Sequence, residues 1–203
     1  MNGVLPGVPE VSVDRERSAF FTPPKTASRL VAWSGAKSID HVLEPSAGMG
    51  ALVKPLLEMG CTVDAWEIDE ASATAVRGLC SDAQLRVFHA DFLEMSALGR
   101  VPGRYHVTVA NPPYEDNQDV RFVEAALMCS SRVVGLFQSR IVHSKGRAHF
   151  WRWHNIDRLA VLSERPRCGG EHSPKTDFVA LEITRRAVPR KQGEATPSQI
   201  EWW

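Results

Sequence analysis

The 203-residue sequence has little of what is typical of secreted, zinc-binding or membrane-spanning proteins. Its four cysteines show no C-x-x-C spacing, which argues against a zinc site and against a disulfide framework. No segment approaches the roughly 20 consecutive apolar residues that a membrane span needs. Residues 1–13 contain no basic segment followed by an apolar one, so no signal peptide is predicted. We therefore expect a cytoplasmic protein that carries no metal ion and does not contact a membrane.

The net charge is zero, but the charges are unevenly distributed along the chain. Residues 1–131 contain 11 Lys and Arg against 17 Asp and Glu, whereas residues 132–203 contain 13 against 7. A basic C-terminal third suits a surface that faces phosphate groups. The same excess is equally typical of an ordinary solvated surface, so charge alone decides nothing about partners.

Short strand-like and helix-like segments alternate through most of the chain, which predicts an α/β fold with a mainly parallel sheet. The last two strands are joined without a long helix and should form a terminal antiparallel pair. We expect a flexible lead-in over residues 1–18, one domain over 19–186 and a flexible tail over 187–203. The seven predicted strands cover residues 41–46, 62–68, 85–91, 105–110, 132–137, 158–163 and 178–184.

The most informative segment is the predicted strand 105–110, which is followed by Asn111, Pro112, Pro113 and Tyr114. The two prolines end the strand and stiffen the turn at the edge of the sheet where α/β proteins bind ligands. There the Asn111 Oδ1 and the Pro112 carbonyl can both accept from an exocyclic amine, while Tyr114 stacks on its ring. An Asx turn at the strand end is the structural alternative for Asn111.

Three other segments follow the carboxyl ends of predicted strands. Residues 44–50 form a glycine turn, where glycine lets the backbone approach a ligand, although such turns are often only structural. Glu67 lies 19 residues beyond Gly48, a spacing that suits a ligand of both ribose hydroxyls; the alternative is a charge at a helix start. Asp91 could accept from an adenine amino group with Phe92 packed on the ring, or Asp91 could cap a helix.

Asn111 to Tyr114 resemble the catalytic motif of S-adenosylmethionine-dependent amino-methyltransferases, above all the DNA adenine-N6 methyltransferases. Residues 19–24, Ala-Phe-Phe-Thr-Pro-Pro, are similar to the amino-terminal cofactor motif of that family, and residues 44–50 to its glycine turn. The resemblance implies a Rossmann-like class I methyltransferase domain that flips adenine out of DNA and methylates N6. Together with the spacing above, it assigns to the S-adenosylmethionine site Phe20, Phe21, Thr22, Pro23, Glu44, Pro45, Ser46, Ala47, Gly48, Gly50, Glu67, Ile68, Asp91, Phe92 and Asn111.

The chain departs from this family in one respect. Only residues 185–203 follow the last predicted strand, so we expect no large target-recognition domain there. We expect loops and basic side chains to contact DNA instead, namely residues 115–118 and 165–175 together with Arg140, His143, Lys145, Arg147, Arg152, Arg167 and Lys175. The setting implied is the nucleoid of a bacterium or of a phage-infected host. A homodimer or a partner subunit is compatible with the sequence.

Three rival functions share the motif or the fold. Ribosomal RNA adenine or guanine methyltransferases differ little from DNA enzymes at this level, so RNA is a possible substrate. Glutamine-N5 methyltransferases of protein release factors also carry Asn-Pro-Pro-Tyr, but they usually have a separate amino-terminal helical domain. A cofactor-binding subunit without catalysis is the third rival, and the intact Asn111 and Tyr114 argue against it.

Overall fold

The described part of the chain is organised around one mixed sheet with strand order β3-β2-β1-β4-β5-β7-β6-β8. The computed structural model describes residues 22–80, 83–163, 177–191 and 199–202. Phe20, Phe21, Arg167, Lys175, the predicted lead-in and the whole loop 165–175 therefore lie outside the described residues. The strands are β1 His41–Glu44, β2 Thr62–Glu67, β3 Leu85–His89, β4 Val107–Ala110, β5 Val133–Gln138, β6 His154–Val161, β7 Phe178–Arg185 and β8 Gln199–Trp202.

Helices connect the parallel strands and cover both faces of the sheet. The helices are α1 Pro24–Ser34, α2 Val53–Glu58, α3 Glu70–Arg77, α4 Phe92–Ala97, α5 Gln118–Ala126, α6 Arg140–His143 and α7 Ala148–Trp153. Apolar residues of α1, α2 and α3 pack on one face, and those of α4, α5 and α7 pack on the other. Every residue of β4 and β5 is buried, as expected for central strands covered on both faces. Among the described helices, none has the length and apolarity to cross a membrane.

The predicted fold class is confirmed. Strands β1 to β5 pair in parallel, and β7 pairs antiparallel with both β5 and β6, which gives the expected terminal antiparallel pair. The segment 187–203, predicted as a flexible tail, contains an eighth strand that was not predicted, because Gln199–Trp202 pair in parallel with β6. The outer edge of β6 offers unpaired backbone N–H and C=O groups, and these drive a pairing that local residue preference does not reveal.

A buried carboxylate, Asp64 of β2, joins this strand to β3 and to the segment that precedes β4. Its side chain is fully buried and accepts hydrogen bonds from Arg86 Nε at 2.7 Å and from the Tyr105 hydroxyl at 2.8 Å. Burial raises the pKa of the Tyr105 hydroxyl, and the hydrogen bond to Asp64 raises it further. Tyr105 is thus held as a neutral donor, and the carboxylate is paired rather than left isolated in the core.

Replacing Asp64 by Ala should lower the free energy of unfolding by about 2 kcal/mol, because Arg86 and Tyr105 lose a buried partner. Half of the Arg86 side chain is exposed, so water recovers part of the loss. Urea unfolding measures the change, with the exposed Asp157→Ala as the control expected to stay within about 0.5 kcal/mol. Equal unfolding midpoints for Asp64→Ala and the native protein would contradict this assignment.

Candidate active site

A pocket that opens to solvent lies at the carboxyl edge of β1 and β4. It gathers residues that are far apart in the sequence, from the start of α1, the glycine turn and the end of β4. Because neighbouring parallel strands end at the same edge, the turns that follow them converge there. The lining residues are Thr22, Glu44, Ser46, Ala47, Gly48, Met49, Ala51, Leu52 and Asn111.

Six of these residues were predicted, and three were not. Met49, Ala51 and Leu52 are the additions, and their only sequence signal was their position beside the glycine turn. Gly48 has φ of 52°, a left-handed conformation that glycine adopts without strain. A side chain at Gly50 would meet that of Leu79, so glycine is also required there for packing. The glycine turn is therefore shaped both by its backbone and by its neighbours.

The Asn111 carboxamide is held between two side chains at the end of β4. Its Nδ2 donates to Thr22 Oγ1 at 2.8 Å, and its Oδ1 accepts from the Tyr114 hydroxyl. The Asn111 carbonyl also accepts from the Ser46 hydroxyl at 3.4 Å, which connects the β4 turn to the glycine turn. Pro112 is buried and Pro113 is half-buried, so the turn is enclosed as well as stiff.

Tyr114 does not present a ring face to an incoming base in this structure, contrary to the prediction. The side chain is only 1% exposed, and its ring packs edge-on against Phe178 with centroids 5.7 Å apart. Its hydroxyl lies near Asn111 Oδ1 and also 3.2 Å from the Leu136 carbonyl. Stacking on a target base would require the ring to turn outward. The Arg140 guanidinium donates to the Tyr114 carbonyl and holds the turn from outside.

Glu67 connects the end of β2 to the glycine turn. Its Oε2 accepts from the Gly48 N–H at 2.7 Å, and its Oε1 accepts from the Asp69 N–H at 2.8 Å. An ionised carboxylate has about four acceptor positions, so these two bonds are compatible with the predicted contact to ribose hydroxyls. Asp69, rather than Glu67, caps α3 by accepting from the Ser72 N–H.

Asp91 caps α4, which is the alternative that the sequence offered to a contact with adenine. One oxygen, Oδ1, accepts from the N–H groups of Leu93 and Glu94, so any contact with a cofactor adenine would have to use Oδ2. The predicted packing of Phe92 on that adenine is wrong, because Phe92 is 2% exposed and lies in the core. It stacks against Phe122 with ring centroids 5.8 Å apart. An aromatic ring gains more by burial in the core than at an open edge.

Ile68 lies beside the end of β2, where the sequence placed it. Its side chain is 49% exposed, which is unusual for so large an apolar group next to a pocket. Its carbonyl lies 3.1 Å from His89 Nε2 at the end of β3. Met49, on the glycine turn, is exposed to the same extent. These two side chains are available to cover the apolar faces of a ring bound at this edge.

Glu44 is a buried acid at the end of β1. Burial is the main cause that raises the pKa of its carboxyl to about 8; the Ser46 N–H bond opposes the rise and the nearby Glu67 charge adds to it. That bond joins Ser46 N to Glu44 Oε1 at 3.1 Å. Near neutral pH the carboxyl is therefore mostly protonated. A positive charge bound in the pocket would favour its ionised form.

The predicted basic contacts with nucleic acid divide into two groups. Arg140, His143, Lys145 and Arg152 are exposed on the segment that follows β5. Arg147 is not available, because it is 4% exposed and donates to Asp119 Oδ2 at 2.5 Å and to Oδ1 at 2.9 Å. The prediction for Arg147 is wrong because a partner 28 residues away converts a surface charge into a buried ion pair. Among the described residues, no cluster of three potential metal ligands occurs.

Known proteins resemble this chain in part of its sequence and in its fold. No family model matches the sequence. The chain is 35% identical over 97 residues to the ribosomal RNA small subunit methyltransferase A of Acidithiobacillus ferrooxidans, which covers 47% of this chain and 36% of that protein. The match thus spans about a third of the length of that relative.

Two solved structures superpose over most of the chain. The M protein of the type I restriction enzyme EcoKI gives a TM-score of 0.61 at 12% identity, over 86% of this chain and 45% of that one. Magnesium protoporphyrin IX methyltransferase from Synechocystis PCC 6803, solved with bound S-adenosylmethionine, gives 0.59 at 16% identity, over 80% and 79%. The chain shares its fold with these proteins, one of which binds S-adenosylmethionine, the cofactor that the sequence predicts.

Replacing Glu44 by Gln should change how stability depends on pH. The folded-state pKa of about 8 lies above the ordinary value of 4.5, so the folded protein holds this proton more tightly. Native stability should therefore fall as pH rises through this window, by roughly 3 kcal/mol relative to the neutral Gln variant. Urea unfolding at a series of pH values measures the difference. The exposed Glu58→Gln should follow the native curve, and a parallel curve for Glu44→Gln would contradict the assignment.

Replacing Arg147 by Met should lower the free energy of unfolding by about 3 kcal/mol, because the fully buried Asp119 loses its counter-charge. The exposed Lys145→Ala, two residues away, should change it by less than about 0.5 kcal/mol. Thermal or urea unfolding compares the two variants. An unchanged unfolding midpoint for Arg147→Met would show that the guanidinium does not support the fold.

Proposed function

We propose that this chain transfers a methyl group from S-adenosylmethionine to the exocyclic N6 amine of adenine, with DNA as the substrate. The observation that carries the proposal is the position of Asn111 at the end of β4, in one pocket with Thr22 and Glu44. The carboxamide that can hold an amine thus adjoins the space that can hold the methyl donor. Adenine-N6 chemistry needs this adjacency, because the amine must approach the methyl group in line.

The pocket residues fit the cofactor in chemistry as well as in position. When bound, S-adenosylmethionine supplies a methyl group already activated by its positive sulfur. Glu67 offers carboxylate oxygens to ribose hydroxyls, as the sequence predicts, and the exposed Ile68 side chain covers a ring face. The buried Glu44 carboxyl ionises beside a positive charge and so favours a cationic ligand. The glycine turn brings backbone close to the ligand without side chains in the way.

The target amine is held by Asn111 Oδ1 and the Pro112 carbonyl. An adenine N6 amine is a poor nucleophile, since its lone pair is delocalised into the ring. Two acceptors that bind both N–H groups favour a more pyramidal nitrogen and direct its lone pair toward the methyl group. Tyr114 stacks on the flipped base once its ring has turned out of the position described above.

The exposed basic side chains after β5 supply the contact with the phosphate backbone. Arg140, His143 and Lys145 lie on α6 and the turn that follows it, next to the catalytic edge. Arg140 also contacts the Tyr114 carbonyl, so this basic segment adjoins the catalytic turn directly. Phosphate contacts of this kind hold a substrate in position without reading its sequence.

RNA is the second candidate substrate, and the sequence relative named above favours it, because its name specifies ribosomal RNA. Methyl-labelled cofactor should be offered to duplex DNA, single-stranded DNA, RNA and protein in parallel. We expect label in DNA. Label in RNA alone would transfer the activity to the second candidate, and label in protein alone would contradict both.

Replacing Asn111 by Ala should lower turnover at least a hundredfold while cofactor affinity changes by less than about threefold. Replacing Glu67 by Ala should have the converse effect, with cofactor affinity lowered at least tenfold. Calorimetry measures binding, and initial rates of methyl transfer measure turnover. Asn155→Ala, away from the pocket, is the matched control. Near-normal turnover of Asn111→Ala would refute the assignment of Asn111, and unchanged cofactor affinity of Glu67→Ala would refute that of Glu67.

A further inference from the structure

Thr22 lies between the two halves of the site. Its side chain lines the pocket, and its Oγ1 accepts from Asn111 Nδ2 at 2.8 Å. Only 6% of Thr22 is exposed, so the environment of its hydroxyl is set by the protein and by whatever the pocket binds. Thr22 therefore adjoins the space for the cofactor, and its hydroxyl contacts the carboxamide that is to hold the target amine.

The Asn111 carboxamide can serve the target amine in one orientation only. Its oxygen accepts from an N–H group, whereas its Nδ2 only donates. If the carboxamide were turned over, donor would face donor and the target amine would be repelled. The protein must therefore fix which end of the carboxamide faces the target.

Neither hydroxyl that contacts the carboxamide fixes its orientation alone. A hydroxyl both donates and accepts, so Thr22 and Tyr114 can each partner either end of Asn111. The Tyr114 hydroxyl has two acceptors within reach, Asn111 Oδ1 and the Leu136 carbonyl, and can satisfy itself with either. It must also leave when Tyr114 turns outward. The direction in which the Thr22 hydroxyl donates its hydrogen is therefore one means of controlling the orientation of the carboxamide.

We propose that Thr22 is a positioning residue that couples occupancy of the cofactor pocket to the orientation of the Asn111 carboxamide. A pocket ligand that accepts the hydrogen of the Thr22 hydroxyl leaves only the Oγ1 lone pairs for Asn111. Nδ2 must then donate to Oγ1, and Oδ1 faces the target amine. The proposal rests on the proposed function, since it takes the ligand to be S-adenosylmethionine, whose carboxylate accepts and cannot donate.

The coupling predicts that the cofactor and the target bind cooperatively. A ligand that fixes the productive orientation of Asn111 tightens target binding, and by linkage the target tightens ligand binding by the same factor. We expect about fivefold, within the usual range for coupled sites. If Thr22 only held the cofactor, its replacement would change cofactor affinity. It would not change the factor by which the cofactor tightens target binding.

The test measures target binding with and without S-adenosylhomocysteine, which keeps the carboxylate but has no methyl group to transfer. The probe is a fluorescein-labelled duplex DNA that contains adenines, followed by anisotropy. In the native protein, saturating S-adenosylhomocysteine should lower the dissociation constant about fivefold. Thr22→Ser keeps the hydroxyl and should keep the ratio of the dissociation constants measured without and with S-adenosylhomocysteine. Thr22→Val should bring this ratio to about one. Thr62→Val, on the exposed start of β2, is the matched control and should keep the native ratio.

Asn111→Ala provides a second variant that does not depend on the folding of Thr22→Val, and it should also abolish the ratio. A full native ratio in Thr22→Val or Asn111→Ala would overturn the proposal. So would a native protein that binds both ligands independently. Failure of the native protein to bind S-adenosylhomocysteine at all would instead overturn the proposed function, which distinguishes the two failures.

Discussion

The parallel pairing of β1 with β4 is the constraint on which the site depends. Val42 pairs with Val107 and Leu43 with Thr108, so the two strands run side by side and end together. Glu44 and Asn111 are 67 positions apart in the sequence, yet they meet at the same edge of the sheet. A shift of one residue in this register would turn each side chain to the opposite face, and the residues that line the pocket would no longer lie together.

Two buried carboxylates outside the pocket are ion-paired, whereas the buried carboxyl in the pocket is protonated. In the scaffold, Asp64 is paired with Arg86, and Asp119 is paired with Arg147, so the buried charges stabilise connections between elements. Within the described part of the chain, the hydrogen bonds of Glu44 include no cationic partner, and its carboxyl keeps its proton to a high pH. A group held in this way can respond to a ligand charge, whereas a paired group cannot.

The features that depend on local residue patterns and on strand order could be predicted from the sequence. The glycine turn, Glu67 and Asn111 all follow strand ends, and the parallel order alone brings them to one edge. The environment of Arg147 could not be predicted, because its partner Asp119 is distant in the sequence. The burial of Phe92 and the inward position of Tyr114 depend on side-chain packing, and β8 depends on an open edge of β6 that only the assembled sheet provides.

The proposed function depends on a carboxamide that holds an exocyclic amine, so the most direct measurement is to identify the atom that is methylated. The labelled nucleic acid product should be digested to nucleosides and analysed by mass spectrometry against authentic standards. We predict methyl on the N6 nitrogen of adenine. Methyl on a ring carbon, on a ring nitrogen or on a ribose oxygen would contradict it, because none of these atoms offers two N–H groups to Asn111 and Pro112.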